Sequence, residues 1–154
     1  MDKKIVLGIS IGDLNGVGCE VIIKTFIDNR ILEFCIPLIY GTAKVLSHHR
    51  KALNLQAFNF TQIKAGEKIQ PNTVNIVNVW EEDVAVQFGV SSEASGRYAF
   101  KSLQAATNDL KNGIVDALVT APVNKRNIRS NDFPYNGQTE YLAAQTNGEA
   151  LMLL

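Results

Sequence analysis

Residues 115–142 read VDALVTAPVNKRNIRSNDFPYNGQTEYL, and this stretch carries the pattern that decides the fold. A short apolar run at 117–119 ends abruptly in Thr-Ala-Pro at 120–122, and a polar loop with the sequence NKR follows at 124–126. A second polar turn, 136–140, opens what the pattern predicts to be a helix. A buried strand that delivers polar side chains at its carboxyl end is typical of ligand sites in open α/β sheets.

The rest of the chain alternates predicted strands with predicted helices. Strands are predicted at residues 4–10, 35–40, 72–80, 115–120 and 150–154, and helices at 19–26, 42–53, 92–111 and 140–145. Residues 57–70 are ambiguous and fit a short strand with a loop. The first run is apolar on both faces and predicts a central strand, whereas alternation in the third predicts a half-exposed one. Pro37 predicts a sheet edge or a strand start. Together these patterns predict one α/β domain with an open, mainly parallel sheet and flanking helices.

Composition excludes several classes of function. The chain has 154 residues, 46% of them hydrophobic and 19% charged, which suits one globular domain with a core. Lys+Arg and Asp+Glu both count 15, so the balance argues against a nucleic-acid surface. No apolar run reaches about 18 residues, which predicts no membrane span. The amino-terminal residues lack signal-peptide features, so we expect a cytoplasmic protein.

The cysteines and histidines offer no metal site. Cys19 and Cys35 sit in apolar surroundings without a CxxC pattern, which favours reduced thiols over a disulfide or a zinc site. His48 and His49 are adjacent, so on a helix they point in different directions and cannot chelate one ion well. We therefore expect no metal ligands and no histidine general base within this chain.

The glycine-rich loop GDLNGVG at 12–18 lies between a predicted strand and a predicted helix. Its amides could bind an anion at the start of the helix. It matches neither the P-loop nor the dinucleotide fingerprint, since the third glycine of the latter would fall at Val21. The alternative is a βα turn whose backbone is capped by Asp13 and Asn15.

The polar residues of the opening stretch are also open to two interpretations. Lys125 could neutralise a phosphate or carboxylate while Asn124 orients a hydroxyl, or Lys125 could be an ordinary exposed loop lysine. Gln138 and Thr139 could offer hydrogen bonds to a polar substrate, or Thr139 could simply be the N-cap of the following helix.

Three blocks then point to a known family: IGDLNGVGCEVI at 11–22, SSEASGRYAFKSLQAA at 91–106, and ALVTAPVNK at 117–125 followed by GQTEYLA at 137–143. Together they resemble the 4-hydroxythreonine-4-phosphate dehydrogenase family of vitamin B6 biosynthesis. The resemblance implies a fold like that of isocitrate and isopropylmalate dehydrogenases, with two α/β lobes around a cleft. It also implies a homodimer that uses NAD or NADP and a divalent metal (Zn, Mg or Co). The implied reaction oxidises and decarboxylates 4-phosphohydroxy-L-threonine, a phosphorylated small-molecule substrate, to 3-amino-2-oxopropyl phosphate.

The resemblance also implies roles for individual residues. The family binds substrate through a His-Thr pair in a GHTE motif, which aligns with residues 137–140. Thr139 matches, but Gln138 replaces the histidine, and glutamine can carry neither a proton nor a charge near neutral pH. Lys125 and Asn124 match the PxNK loop of the family. The resemblance thus implies a substrate-binding set of Gln138, Thr139, Lys125 and Asn124.

Length is the largest departure from the family. Its metal-binding histidines and its NAD(P)-binding lobe lie beyond the position of Leu154. We therefore expect residues 1–154 to be a truncated amino-terminal part of a two-lobed dehydrogenase, with the carboxyl-terminal lobe absent from this chain and catalysis incomplete. Two alternatives remain: a related dehydrogenase acting on a 4-phospho-threonate-type hydroxy acid, and a non-catalytic fragment that only binds a ligand or a partner.

Overall fold

The structure is a computed structural model that describes residues 4–151 of the chain. Within that range, five strands form one sheet in the order β3-β4-β2-β1-β5. The strands are β1 Ile5–Ser10, β2 Cys35–Gly41, β3 Thr61–Ile63, β4 Asn75–Asn78 and β5 Ala117–Thr120. The helices are α1 Gly18–Phe26, α2 Ala43–Ala52, α3 Glu93–Lys111 and α4 Gln138–Thr146, with a 3-10 turn at Asn29–Glu33. Every strand pair is parallel, which confirms the predicted open α/β sheet.

The order of the strands reverses once. The chain runs from β1 outward through β2 to the edge strand β3 and turns back to β4, and α3 then carries it across the sheet to β5 on the other side of β1. Because parallel crossovers are right-handed, this reversal places α1 and α2 on one face of the sheet and α3 on the other. β1 is paired on both edges, as its two apolar faces predict. The carboxyl ends of β1 and β5 form the topological switch point at which such sheets bind ligands.

Each face of the sheet has its own core. The face under α1 and α2 buries Ile9, Ile39, Ile76, Cys19, Ile23 and Leu46, and the face under α3 buries Leu38, Tyr40, Val77 and Ala106. Ser102, fully buried on α3, connects α3 to the sheet. Its hydroxyl accepts from the Ile11 amide at 3.0 Å and donates to the Tyr40 carbonyl at 2.6 Å. This single side chain satisfies two backbone groups where β1 and β2 end.

Two predictions about strands were wrong in detail. The predicted half-exposed strand 72–80 is only four residues long and is mostly buried. Asn75 is fully buried because its carboxamide donates to the Gln70 carbonyl at 2.9 Å and accepts from the Gln70 amide at 2.8 Å. Pro37 does not mark a sheet edge, since β2 lies between β1 and β4. It does lie near the start of β2, one residue before Leu38, where the pairing with β4 begins.

The carboxyl-terminal elements also differ from expectation. Helix α4 begins at Gln138 rather than at 140, so its N-cap is Gly137 and not Thr139. Of the predicted strand 150–154, Ala150 and Leu151 are not in a strand, and residues 152–154 lie outside the described residues. The short strand expected within 57–70 is β3.

Cys19 and Cys35 are free thiols, as predicted. No helix among the described residues is long and apolar enough to cross a membrane.

Candidate substrate site at the β1/β5 switch point

The loops that follow β1 and β5 touch through their backbones. The Asp13 amide donates to the Pro122 carbonyl at 2.9 Å, and the Ala121 amide donates to the Ser10 carbonyl at 3.0 Å. Gly12 has a φ of +69°, and a Cβ at this position would lie 2.2 Å from the Pro122 oxygen. Only glycine fits there, because both the backbone conformation and the space exclude a side chain.

The glycine-rich loop has the contacts of a structural turn. Asp13 Oδ1 accepts from the Asn15 amide at 2.9 Å, and Asn15 Oδ1 accepts from the Gln87 amide at 2.8 Å. A Cβ at Gly18 would lie 2.3 Å from the Ile11 carbonyl oxygen. These glycines therefore make room for the protein's own backbone. Of the two sequence interpretations, the geometry favours the turn capped by Asp13 and Asn15 over an anion cradle.

Asn127 joins three elements at this point. Its Nδ2 donates to Asp13 Oδ2 at 3.0 Å and to Ser95 Oγ at 2.9 Å. A Cβ on Gly96 would lie 1.9 Å from the Asn127 carbonyl oxygen, so α3 packs directly against this loop. The sequence analysis missed Asn127, since a single loop asparagine gives no local signal for partners in distant segments.

Gln138 brings the start of α4 onto the loop after β5. Its Nε2 donates to the Ala121 carbonyl at 3.1 Å. A carbonyl oxygen can only accept, so this bond fixes the orientation of the carboxamide. The other carboxamide atom, Oε1, is buried and has no hydrogen-bond partner. Gln138 thus holds an unused acceptor at the candidate site.

Lys125 lies beside the amino terminus of α4. An ideal Cβ on Gly137 would be 4.0 Å from Lys125 Nζ and 3.1 Å from Glu140 Oε2, so both charged groups flank the first turn. Gly137 is the N-cap and offers no side chain to the first amides of α4. A lysine ammonium next to uncapped helix amides suits an anionic group, although Glu140 partly offsets the charge.

Asn124 and Thr139 occupy different situations. Asn124 Nδ2 donates to Ser91 Oγ at 3.1 Å, and its Oδ1 accepts from the Arg126 amide at 3.0 Å, so Asn124 organises the loop. Thr139 is exposed at the second position of α4. The structure therefore gathers Lys125, Gln138 and Thr139 around one helix terminus, while Asn124 turns toward Ser91.

The described residues contain no metal-ligand group, and the glycine-rich loop does not form a pyrophosphate cradle. Within residues 4–151, no group of three His, Cys, Asp or Glu side chains could hold a metal. His49 is buried and donates through Nε2 to the Leu14 carbonyl at 2.8 Å, and burial lowers the pKa of its imidazole. The glycine-rich loop is filled by backbone contacts rather than open to a pyrophosphate.

An open parallel sheet with polar loops gathered at its switch point is the arrangement with which α/β domains bind small ligands. The chain belongs to the family described as "Pyridoxal phosphate biosynthetic protein PdxA", whose sequence profile matches residues 33–154.

Two relatives show the range of named activities. Over 155 aligned residues the chain is 42% identical to the 4-hydroxythreonine-4-phosphate dehydrogenase of Bacteroides thetaiotaomicron, covering 99% of this chain and 42% of that protein. It is 32% identical to a protein of Oceanobacillus iheyensis named as a candidate D-threonate 4-phosphate dehydrogenase, covering 100% of this chain and 47% of that protein. The chain thus spans less than half the length of these relatives.

Solved structures confirm the fold class. A 4-hydroxythreonine-4-phosphate dehydrogenase from Burkholderia phymatum superposes with a TM-score of 0.80 at 26% identity, covering 97% of this chain and 46% of that one. The corresponding enzyme from Klebsiella pneumoniae gives a TM-score of 0.72 at 28% identity, covering 96% and 44%. The chain therefore has the open, mainly parallel α/β fold of about half of such a dehydrogenase.

Proposed function

We propose that this chain forms the substrate-binding wall of a two-lobed, NAD(P)-dependent dehydrogenase of which it is the amino-terminal part. The proposed reaction is the oxidation and decarboxylation of 4-phosphohydroxy-L-threonine to 3-amino-2-oxopropyl phosphate in vitamin B6 biosynthesis. The observation that carries the proposal is the hydrogen bond from Gln138 to the Ala121 carbonyl, which joins the α4 terminus to the loop bearing Lys125. Membership of the family supports it. A cytoplasmic homodimer is part of the same proposal.

In this function Lys125 binds an anionic group of the substrate. Its ammonium lies 4.0 Å from an ideal Cβ on Gly137, and Gly137 is the N-cap that provides no side-chain hydrogen bond to the first turn of α4. A phosphate or carboxylate between them would gain charge-assisted hydrogen bonds, which are about twice as strong as neutral ones. Thr139, exposed on the same turn, adds a hydroxyl for orientation.

Gln138 acts in this proposal as an uncharged hydrogen-bond acceptor. Its free Oε1 can accept a hydrogen bond, so the substrate group that meets it is a donor such as a hydroxyl or an ammonium. A buried carbonyl oxygen without a donor costs about 1–3 kcal/mol, and a substrate donor that reached Oε1 would recover this energy. Gln138 cannot transfer a proton near neutral pH, so proton transfer belongs to other groups. In this proposal the role of the described residues is to bind and orient the substrate.

A second candidate function is the oxidation of a 4-phospho-threonate. The relative from Oceanobacillus iheyensis, which bears the name of such a dehydrogenase, supports it. The two substrates differ at C2, where one has an ammonium and the other a hydroxyl. Both groups can donate to Gln138 Oε1, so this residue accommodates either substrate, whereas the imidazolium form of a histidine would repel the ammonium.

The test is turnover of both substrates by the protein whose reading frame contains this chain. We expect Lys125→Gln to lower kcat/KM by about 10- to 100-fold, the effect of losing one charge-assisted hydrogen bond. Lys24→Gln is the matched control, because Lys24 is an exposed lysine paired with Glu20 on α1. Gln138→His tests the family residue, and an unchanged preference between the substrates would remove Gln138 as its determinant. Substrate binding without turnover would instead support the non-catalytic alternative.

A further inference from the structure

A second polar cavity has neither Lys125 nor Gln138 in its lining. It has a volume of about 650 Å³ and opens between the amino-terminal half of α3 and the loop 126–132. Three arginines from these two segments line it: Arg97, Arg126 and Arg129. We name it the arginine cavity; Ser91, which accepts a hydrogen bond from Asn124, also lines it.

The three guanidinium groups use none of their N–H donors within the described residues. Within residues 4–151 none of them forms an ion pair or donates a hydrogen bond to another residue, whereas Arg30 pairs with Asp28 on both counts. Arg97 is placed by its ring contact alone, with Cζ 5.3 Å from the Tyr98 centroid.

Carboxylates do not cancel this charge. Glu93 and Asp132 are the two acidic residues that line the arginine cavity, against three guanidiniums. Glu93 is four residues before Arg97 on α3, the spacing at which a helix pair forms readily, yet the two side chains are not paired. The arginines therefore present their donors to the cavity and not to neighbouring acids.

The start of α3 adds backbone donors to the same wall. The Ser92 hydroxyl accepts from the Ser95 amide at 3.1 Å, which caps one of the first-turn amides. The amides of Glu93 and Ala94 have no acceptor among the described residues, as is usual for the first turn of a helix. The positive end of a 19-residue helix thus reinforces the guanidiniums.

From these contacts we propose that the arginine cavity binds the phosphate group of a small anion, at a site separate from the substrate wall. Guanidinium groups bind phosphate oxygens in pairs, and the three arginines can do so because neither lining carboxylate forms an ion pair with them. The volume lies in the range of pockets that hold small ligands, so a phosphomonoester fits as well as free phosphate. This inference does not depend on the proposed function.

The experiment titrates the 154-residue chain with inorganic phosphate and, separately, with glycerol 3-phosphate at constant ionic strength. Binding is followed through the Nε–Hε signals of the arginines in a nitrogen-proton correlation spectrum. We expect saturable shifts of Arg97, Arg126 and Arg129, with Arg30 unchanged. Tighter binding of the ester than of phosphate would identify a phosphomonoester as the ligand, and the reverse order would identify free phosphate.

Variants separate the two sites. Arg126→Gln combined with Arg129→Gln should weaken phosphate binding at least about tenfold, since charge-assisted hydrogen bonds are lost. The control Arg30→Gln should leave phosphate binding within about twofold, and Lys125→Gln should leave the phosphate dependence of the arginine signals, which report the arginine cavity alone, within about twofold. All four positions are exposed, so these variants should fold, and circular dichroism checks that they do. Absence of saturable shifts, or loss of binding in Lys125→Gln with the arginine variants unaffected, would overturn the proposal. Equal shifts with chloride would overturn it as well, because they would indicate simple charge screening.

Discussion

The carboxamide nitrogen of Asn127 donates to Asp13 Oδ2 at 3.0 Å and so fastens the loop after β5 to the loop after β1. Asp13 is 7% exposed, and no cation pairs with it among the described residues. Its carboxylate is stabilised instead by donors from Asn127 and from the Asn15 amide. Because Asn127 also donates to Ser95 on α3, one side chain sets the relative positions of three segments at the switch point.

The first prediction replaces that donor by a repulsive group. Asn127→Asp would put two carboxylates in contact, so we expect the free energy of unfolding at pH 7 to fall by about 2–4 kcal/mol. Protonation of one carboxylate relieves the repulsion, and the loss should shrink as the pH is lowered toward about 4. Urea unfolding at the two pH values measures both effects. The matched control is Asn124→Asp, since Asn124 bonds to the exposed Ser91 and should lose under about 1 kcal/mol. Equal losses in the two variants would contradict the role of Asn127.

The second prediction concerns His49 and pH. Burial lowers the pKa of His49, and the hydrogen bond to the Leu14 carbonyl opposes this shift only in part. The unfolded chain therefore binds a proton at higher pH than the folded one, and stability is lost as the pH falls below about 6.5. We expect urea midpoints to decrease from pH 7.5 to pH 5.5, with a slope of at most about 1.4 kcal/mol per pH unit for one proton.

Variants of the two histidines identify the group. His49→Gln should remove this pH dependence, while His48→Gln, at an exposed position, should retain it. Glu82 does not contribute to the pH dependence between pH 7.5 and 5.5, because Lys101 lowers the pKa of the Glu82 carboxyl to about 2. The effect of Glu82 on stability therefore lies at more acid pH. A slope that persists in His49→Gln would show that another group is responsible.

The third prediction distinguishes the two thiols. Cys19 is fully buried, and burial raises the pKa of its thiol to about 12. Cys35 is partly exposed, and burial raises its pKa while the nearby Lys4 opposes the shift. Since the thiolate is the reacting form, a disulfide reagent at pH 8 should modify Cys35 slowly and Cys19 only after unfolding in urea. Cys35→Ser serves as the control and should abolish the reaction of the folded protein. Rapid modification of two thiols in the folded state would contradict the buried position of Cys19.

The fold could be predicted because its signals are local. Apolar runs of strand length, helical periodicity and the spacing between them are all properties of neighbouring residues. The errors occur where a distant contact decides. Asn75 looks like the exposed residue of an alternating strand, yet its carboxamide bonds to the loop at Gln70 and allows it to be buried.

The residues of the candidate site also differ in whether local sequence signals could predict them. Lys125 and Gln138 could be proposed from the sequence, because Lys125 lies in the loop that follows a predicted strand and Gln138 in the turn that opens a predicted helix. Of the two interpretations of Thr139, the N-cap was wrong, since the helix begins at Gln138 and Gly137 is its N-cap. Asn127 could not be found, because its partner Asp13 is 114 positions away. Its importance depends on the sheet order that brings β1 and β5 together.

The last prediction tests the packing of α3 against that loop. Alanine in place of glycine usually stabilises a helix interior by up to about 1 kcal/mol, so Gly96→Ala would normally be favourable. In this protein the new Cβ would lie 1.9 Å from the Asn127 carbonyl oxygen, and backbone atoms cannot yield as a flexible side chain can. We therefore expect the opposite sign, a loss of about 1–3 kcal/mol in urea unfolding. Gly16→Ala is the control, since its Cβ would meet nothing closer than 3.5 Å, and it should change stability by under about 0.5 kcal/mol.

A shifted α3 would also separate Ser95 from Asn127, so the amide signals of the loop 126–132 should move in Gly96→Ala and stay in place in Gly16→Ala. If Gly96→Ala were as stable as the unmodified chain, α3 could not lie as close to Asn127 as the structure places it.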